Sequence, residues 1–312
     1  MAKKREFYFK SRDGINKVHA VEWRPDKGDA KAVLQIVHGM AEHIDRYDDF
    51  AGFMTDNGFI VVGMDNLGHG LTASTKEELG YFAKKNAKEY LVNNAHILKK
   101  QIEGENPELP YFFMGHSMGS YITRKYISTY GAGIDGCIIV GTGFESKLST
   151  IPGLAIISIV EKLKGERYRS TFLDNAMFGA YSKRISNPST PFDWICTDET
   201  VVKEYIDNPL DGVIFTVNGF KTLVSLVDEV CSRDTFSKTP VDLPMLLISG
   251  SEDPVGNYGK GVKKSFDCFK SAGIKDVKMK LYPGMRHEII NETGKMEVYK
   301  DILNWLDTHI EK

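Results

Sequence analysis

Short apolar runs alternate with longer segments of helical periodicity along most of the chain. Most of the runs are nearly continuous, which is typical of strands buried on both faces of a parallel sheet. We predict inner strands at residues 32–37, 59–64, 111–115, 136–141, 245–249 and 277–282. Because strands that alternate with helices form a mainly parallel sheet with helices on both faces, the pattern predicts an α/β fold.

Five predicted helices accompany these strands, and glycines follow most of them, as is common where helices end. The helices are predicted at residues 47–57, 87–103, 119–130, 259–272 and 295–311, with Gly58, Gly104, Gly131 and Gly273 as terminators. Ahead of the first inner strand, residues 6–10 and 18–23 alternate polar and apolar positions around Asp13-Gly14. This alternation predicts an antiparallel hairpin at the edge of the sheet.

The alternation of strands and helices breaks between residues 142 and 239. Prolines punctuate short helical pieces there, and no strand pattern is convincing. The prolines are Pro152, Pro188, Pro191 and Pro209. We therefore predict a mainly helical cap at residues 142–239, inserted into an α/β core formed by residues 1–141 and 240–312.

The composition argues against nucleic-acid binding and against a disulfide-rich or zinc-binding protein. The 312 residues are 42% apolar and 26% charged with a formal net charge of −2, which lacks the basic excess that nucleic-acid binding demands. Residues 1–12 lack the apolar run of about 7 to 15 residues that a secretory signal needs. The cysteines are scattered without a C-x-x-C pair, at Cys137, Cys196, Cys231 and Cys268. We expect reduced thiols in a cytoplasmic protein, without a zinc site.

A possible nucleophile lies where a predicted strand meets a predicted helix. The sequence Gly115-His116-Ser117-Met118-Gly119 carries the pattern G-x-S-x-G at this junction. In that setting a sharp turn lifts the serine above the sheet, and the two glycines avoid clashes where backbone segments crowd together. The start of the following helix favours the negative charge that develops in acyl transfer. The alternative is a small-residue helix start that serves packing alone.

A serine hydroxyl is a poor nucleophile until a base takes its proton. On an α/β sheet with a serine at such a turn, the order along the chain is serine, acid, histidine. Asp253 and His287 each follow a predicted strand, at the edge where open α/β sheets bind ligands. Glu252 is the nearest rival acid, but Asp253 stands directly before a proline in the turn and is the better aimed of the two. We therefore predict Ser117, Asp253 and His287 as the catalytic residues.

Acyl transfer also needs about two backbone N–H donors for the oxyanion. Met118, directly after the serine, supplies the first, and Met40 in the loop His38-Gly39-Met40 offers the second. His116 is too close to Ser117 in sequence to act as its base, and we expect it to order the turn.

Other sequence signals do not indicate a cofactor. Residues 131–136 spell G-x-G-x-x-G, but they leave a helix and enter a strand, the reverse of what phosphate binding requires. We interpret them as a turn. No H-E-x-x-H, P-loop or EF-hand pattern is present, so we expect neither a metal nor a nucleotide.

These residues resemble the monoacylglycerol lipase and lysophospholipase branch of the α/β hydrolases, grouped with the serine aminopeptidase S33 superfamily. The resemblance rests on HGMAEH at 38–43, RY at 46–47, MDNLGHG at 64–70 and GHSMG at 115–119, together with Asp253 and His287, and it extends into residues 194–209. It covers nearly the whole chain. It implies cleavage of a monoacylglycerol, a lysophospholipid or a related small acyl ester, and it leaves an esterase for short or aromatic esters open.

Three further interpretations stay open at this stage. A serine aminopeptidase would need acidic residues in the cap to bind the free amino terminus of its substrate. Glu199, Glu204 and Asp207 are available, but they are equally consistent with a solvent-exposed helix face. A non-catalytic scaffold of the same fold is the alternative outside enzymes. Residues 151–160 form an apolar stretch about half as long as a membrane-spanning helix. It is either a lip that contacts membranes or micelles or a helix buried on the core, and its weak basic flank favours burial slightly.

Overall fold

The computed structural model describes residues 3–310, and within them one eight-stranded sheet forms the centre of the molecule. Its strands are β1 (Lys3–Lys10), β2 (Lys17–Arg24), β3 (Ala32–Val37), β4 (Phe59–Met64), β5 (Tyr111–His116), β6 (Gly136–Val140), β7 (Met245–Gly250) and β8 (Val277–Tyr282). Their spatial order is β1-β2-β4-β3-β5-β6-β7-β8. The pairs β1–β2 and β2–β4 are antiparallel and the other pairs are parallel. The mainly parallel sheet and the edge hairpin are confirmed.

The α-helices of the described chain are α1 (Asp48–Asp56), α2 (Ala87–Glu105), α3 (Met118–Tyr130), α4 (Lys147–Lys164), α5 (Thr171–Phe178), α6 (Glu199–Asp207), α7 (Val217–Val230), α8 (Arg233–Lys238), α9 (Lys260–Ser271) and α10 (Lys295–Ile310). The five predicted helices end within two residues of these bounds, and residue 311 lies outside the described residues. Gly58 and Gly273 follow α1 and α9 with φ of +85° and +95°, a conformation that glycine adopts without strain. The prediction of Gly104 as a terminator is wrong, because α2 continues through it to Glu105.

The sheet has a buried apolar layer on each face. Along β3 the side chains alternate, so that Val33 and Val37 join the layer under α2, α3, α7 and α9, whereas Leu34 and Ile36 join the layer under α1 and α10. This period of two explains why the inner strands are apolar at nearly every position. Residues 131–136 form a 3₁₀ turn, Gly131–Gly133, followed by the start of β6, which confirms that they are a turn.

Helices α4 to α8 lie between β6 and β7, in residues 142–239, which we call the insertion. Its first residues and the end of α7 meet at the side chain of Arg124 on α3, and this side chain is fully buried. The guanidinium donates to the carbonyl oxygen of Gly143 at 3.0 Å, next to β6, and to that of Val230 at 2.9 Å, at the end of α7. One buried side chain thus anchors the insertion near both of its connections to the sheet.

The preference for burial of residues 151–160 is wrong. Helix α4 packs on α7, but Thr150 and Ile157 are its only buried residues. Leu148, Ile151, Ile159 and Leu163 are 58% to 89% exposed. Because the stretch is apolar on all sides of the helix, its periodicity could not reveal that one face alone has a partner.

Candidate active site

A strained serine stands between β5 and α3. Ser117 has φ +52° and ψ −119°, a conformation that a residue with a Cβ atom adopts only when its surroundings impose it. The Ser117 N–H group donates to the carbonyl oxygen of Val140 in β6 at 3.0 Å, and the carbonyl oxygen of Ser117 accepts from Ser120 Oγ at 2.6 Å. These bonds hold the turn at the carboxyl edge of the sheet, where Ser117 lines a cavity.

The glycines on either side of Ser117 are required by packing. A Cβ atom on Gly119 would overlap the carbonyl oxygen of Val37 in β3, and one on Gly115 would overlap that of Gly119. The strand, the turn and the helix therefore approach each other closely only because both residues lack side chains. This is the packing that the G-x-S-x-G pattern predicts.

Asp253 lies beside the ring of His287. Asp253 Oδ2 is 3.0 Å from His287 Nδ1, and the same carboxylate accepts hydrogen bonds from Ser249 Oγ and from the Val255 N–H, both at 2.9 Å. Burial alone would raise the pKa of Asp253, but the charge of His287 and these hydrogen bonds lower it overall. Glu252 points to solvent. The structure thus brings Asp253, and not Glu252, to the ring of His287.

Ser117 and His287 line the same cavity of about 750 Å³, which is enclosed by the carboxyl edge of the sheet and by the insertion. The sheet side contributes Met40, Met118, His116 and Glu42. The insertion contributes mainly apolar side chains, among them Met177, Phe178, Leu223, Val224 and Val227. This volume lies in the range of roughly 300 to 1,000 Å³ that is usual for small-molecule sites. The cavity combines a polar floor with apolar walls.

Two uncharged histidines hold the loop that carries Met40. His38 Nε2 accepts from the Asn66 N–H at 2.9 Å, while its Nδ1 contacts the carbonyl oxygen of Gly39 at 2.8 Å. His69 Nε2 accepts from the Ala41 N–H at 3.1 Å. An imidazole that accepts on one nitrogen is neutral, and burial lowers the pKa of His38 and brings that of His69 to about 3. The loop is therefore fixed on both sides of Met40.

The role of Asp65 was missed by the sequence interpretation. It is buried after β4, where it accepts from the Ile44 N–H at 2.9 Å, the Leu71 N–H at 2.8 Å and His19 Nδ1 at 2.8 Å. A Cβ atom on Gly70 would overlap this carboxylate. The motif at residues 64–70 was the available signal, and the structure explains it as a support for the loop at residues 38–44.

A cluster of buried charges adjoins His287 and the loop at residues 38–44. Arg46 donates to both carboxylate oxygens of Glu288, at 2.6 and 2.7 Å, and lies 3.6 Å from the carboxylates of Glu42 and Asp211. His43 Nδ1 is 2.8 Å from Asp211 Oδ1. Because Asp211 belongs to the insertion, this cluster connects the insertion to the loops that carry the site residues.

The order of the strands, the strained serine after β5 and the helical insertion after β6 define the class of the protein: it is an α/β hydrolase. The model of the Hydrolase_4 family, described as serine aminopeptidase, S33, matches residues 28–294. The chain belongs to this family.

Relatives and solved structures identify the type of hydrolase. A monoacylglycerol lipase of Mycolicibacterium smegmatis is 25% identical over 309 residues, which covers 98% of each chain. The crystal structure of a thermostable carboxyl esterase of Bacillus coagulans in complex with glycerol superposes with a TM-score of 0.92 at 31% identity, over 99% of both chains. A lipase in an open form superposes with a TM-score of 0.89 at 26% identity, over 99% of this chain and 100% of that one. The protein is a serine ester hydrolase of the monoglyceride lipase and esterase type.

The aminopeptidase alternative is not favoured by these relatives. Glu199, Glu204 and Asp207, the acids considered for a free amino terminus, are exposed on α6.

Within residues 3–310, every helix is too short or too polar to cross a bilayer.

Proposed function

We propose that Ser117 is the nucleophile, that His287 is its general base and that Asp253 orients and stabilises His287. The observation that carries the proposal is the position of Ser117: a strained serine on the floor of a cavity that His287 also lines, with a buried carboxylate on the far nitrogen of that histidine. A carboxylate at Nδ1 keeps the proton there and leaves Nε2 free to accept one.

The proposed reaction has two steps. Ser117 Oγ attacks the carbonyl carbon of the ester while its proton passes to His287, and collapse of the tetrahedral intermediate transfers that proton to the leaving alcohol and leaves an acyl-serine. Water then attacks the acyl-serine by the same route and releases the acid. The N–H groups of Met40 and Met118 would stabilise the oxyanion in both steps. Both residues line the cavity, and the N–H groups on either side of Met40 already donate to Glu42 and His69.

We further propose that the substrate is a monoacylglycerol, a lysophospholipid or a related acyl ester. The apolar walls that the insertion supplies suit a hydrocarbon chain, since each methylene removed from water contributes about 0.8 kcal/mol. The monoacylglycerol lipase of M. smegmatis and the glycerol complex of the B. coagulans esterase support an ester of a small polyol. In this function the insertion at residues 142–239 acts as the cap over the site.

A series of p-nitrophenyl esters from acetyl to palmitoyl tests this specificity. We expect kcat/KM to rise by at least about tenfold from acetyl to a medium or long acyl chain, because two buried methylenes already account for such a factor. Preference for acetyl or aromatic esters would indicate a general esterase instead. Cleavage of an aminoacyl p-nitroanilide in parallel would indicate a peptidase, and the absence of Ser117-dependent turnover would indicate a binding scaffold.

We also propose that the outer face of α4 contacts a lipid or micelle surface. Leu148, Ile151, Ile159 and Leu163 follow each other at helical spacing on its exposed side, whereas Gly153 on the same helix lines the cavity. A surface-bound helix of this kind would place the cavity next to the interface that holds the substrate.

Removing the exposed apolar side chains tests the contact. We expect Ile151→Ser/Ile159→Ser/Leu163→Ser to weaken binding to phosphatidylcholine vesicles by at least about tenfold, because each side chain contributes about 1.5 to 3 kcal/mol when buried. Co-sedimentation with vesicles measures the binding. Ile15→Ser is the matched control, since Ile15 is 87% exposed on the hairpin turn. Equal vesicle binding by the wild type, the triple variant and Ile15→Ser would contradict the contact.

A cytoplasmic location is likewise proposed. It is supported by the four cysteines, all of which carry free thiols.

A further inference from the structure

Both ring nitrogens of His116 contact hydrogen-bond acceptors. His116 Nδ1 is 3.0 Å from Glu42 Oε1, and its Nε2 is 3.3 Å from the carbonyl oxygen of His287. A neutral imidazole has one N–H group, so both bonds form together only when the ring carries a positive charge. His38 and His69 differ in this respect, because each accepts from a backbone N–H.

The partner of His116 is a carboxylate that holds other parts of the site. Glu42 Oε1 also accepts from the Gly39 N–H, one residue before Met40, and from Tyr47 Oη at 3.2 Å. Gly39 packs so closely that a Cβ atom there would lie 3.0 Å from Ser117 Cβ and 3.2 Å from His116 Nδ1. Glu42 and His116 together therefore connect the loop of Met40, the turn of Ser117 and the backbone of His287.

We propose that Glu42 and His116 form an ion pair of positioning residues, which sets the Met40 N–H and His287 in the arrangement that ester hydrolysis needs. The proposal rests on the proposed roles of Ser117, His287 and Met40. A charged hydrogen-bonded pair holds its geometry more firmly than neutral groups do, because such bonds are about twice as strong. The pair touches no reacting atom, and its effect passes through the loops that it holds.

Other charged and titratable groups surround the pair and influence the pKa values of both residues. The charges of Glu42 and Glu288 act on His116, those of His116, Arg46 and His38 act on Glu42, and Tyr47 donates a hydrogen bond to Glu42. The ring of His287 also faces His116, with the two ring centroids 4.7 Å apart. Burial alone would lower the pKa of His116, but the hydrogen bond and charge of Glu42 and the charge of Glu288 raise it overall. Burial alone would raise the pKa of Glu42, but His116 and then Arg46 lower it overall.

These directions determine the pH range in which the pair exists. A histidine whose pKa is raised on folding contributes stability that is complete below about 6.5, its ordinary value, and that is lost as the pH rises through the raised value. The carboxylate stays ionised throughout that range. Activity should therefore fall on the alkaline side when His116 loses its proton.

Two substitutions of His116 test its two hydrogen bonds one at a time. His116→Asn keeps a donor near the position of Nδ1, toward Glu42, whereas His116→Gln keeps one near Nε2, toward the carbonyl of His287, and both remove the charge. We expect each to lower kcat for p-nitrophenyl octanoate about 100-fold with little change in KM, because displacement of catalytic groups by about 1 Å has effects of that size. Both variants should also lose the alkaline decline of the pH–rate profile. The double variant Glu42→Gln/His116→Asn should lower kcat no further than the more damaging of its two single substitutions, because both remove the same pair.

His309→Gln is the matched control. His309 is buried on α10 with the carbonyl oxygen of Trp305 at 2.6 Å from one ring nitrogen and Asp276 at 3.0 Å from the other. This control repeats the loss of a buried ring between a carbonyl and a carboxylate, but not next to Ser117. It should leave kcat and the alkaline decline unchanged, whatever it does to the midpoint of urea unfolding.

Nitrogen NMR of ¹⁵N-histidine-labelled wild-type protein tests the pair without any dependence on catalysis. At pH 7 both ring nitrogens of His116 should be protonated. The signals of His116 are assigned by their absence from the spectrum of His116→Asn. A singly protonated His116, unchanged kcat in both variants or an alkaline decline that persists in them would overturn the proposal. Full activity of Ser117→Ala would instead overturn the proposed function, and the NMR result would still decide whether the pair is charged.

Discussion

Replacing Ser117 with alanine is expected to lower kcat for ester hydrolysis by at least about 10⁴-fold, because the loss of the nucleophile removes the acyl-enzyme route and leaves only binding and oxyanion stabilisation. Alanine also has a Cβ atom and takes the same backbone conformation, so the fold should be kept. Hydrolysis of p-nitrophenyl octanoate measures the rate, and urea unfolding measures stability.

A second serine in the cavity provides the control for this prediction. Ser149 lies on α4 and lines the same cavity from the insertion. Ser149→Ala should retain nearly full activity, and a fluorophosphonate reagent should label it and the wild type but not Ser117→Ala. Labelling or turnover that persists in Ser117→Ala would exclude Ser117 as the nucleophile.

Replacing Asp253 with asparagine is expected to lower kcat by about 10⁴-fold, the size seen when the acid of a serine–histidine–aspartate triad becomes an amide. The amide would donate to His287 Nδ1 and so leave the proton on Nε2, where it blocks proton transfer from Ser117. The lowered pKa of Asp253 means that the carboxylate is charged throughout the neutral range. The effect should therefore appear at every pH between about 6 and 9.

The neighbouring acid supplies a matched control for this second prediction. Glu252 precedes Asp253 directly, is exposed, and contacts Ser251 Oγ at 3.4 Å. Glu252→Gln removes the same charge from the same loop and should leave kcat and KM unchanged. Equal losses in the two variants would mean that the charge of the loop matters rather than the contact between Asp253 and His287.

The insertion lines the cavity and is also hydrogen-bonded to the loops at its floor. The Glu288 N–H donates to the carbonyl oxygen of Ile195 at 2.7 Å, and the Gly212 N–H donates to that of Ala41 at 2.9 Å. These bonds attach residues 195–212 to the loops on either side of the cavity floor. Helix α4, in contrast, exposes most of its apolar surface. The insertion thus has one part that is bonded to the loops of Met40 and His287 and another that faces outward.

The sequence predicted the elements that depend on local patterns. Strands such as β3 and β5 were recognisable because burial on both faces makes them apolar at nearly every position. The turn at Ser117 was recognisable because close packing of a strand and a helix demands glycine at residues 115 and 119. Gly104 was wrongly predicted as a terminator, since a glycine at an exposed position of a helix is tolerated at a cost of about 1 kcal/mol.

Contacts between distant segments were decided by the tertiary structure alone. The exposed side of α4 depends on where α7 packs, which an apolar stretch does not encode. The pairing of Glu42 with His116 joins residues 74 positions apart. The charge that we propose for His116 depends on the acceptors that the fold places at both ring nitrogens, which outweigh the opposing effect of burial. By itself, the sequence determined the α/β architecture and the candidate residues Ser117, Asp253 and His287, because strand burial and turn chemistry are local. The folded chain decided which groups support those residues, because hydrogen bonds and desolvation arise only when remote segments meet.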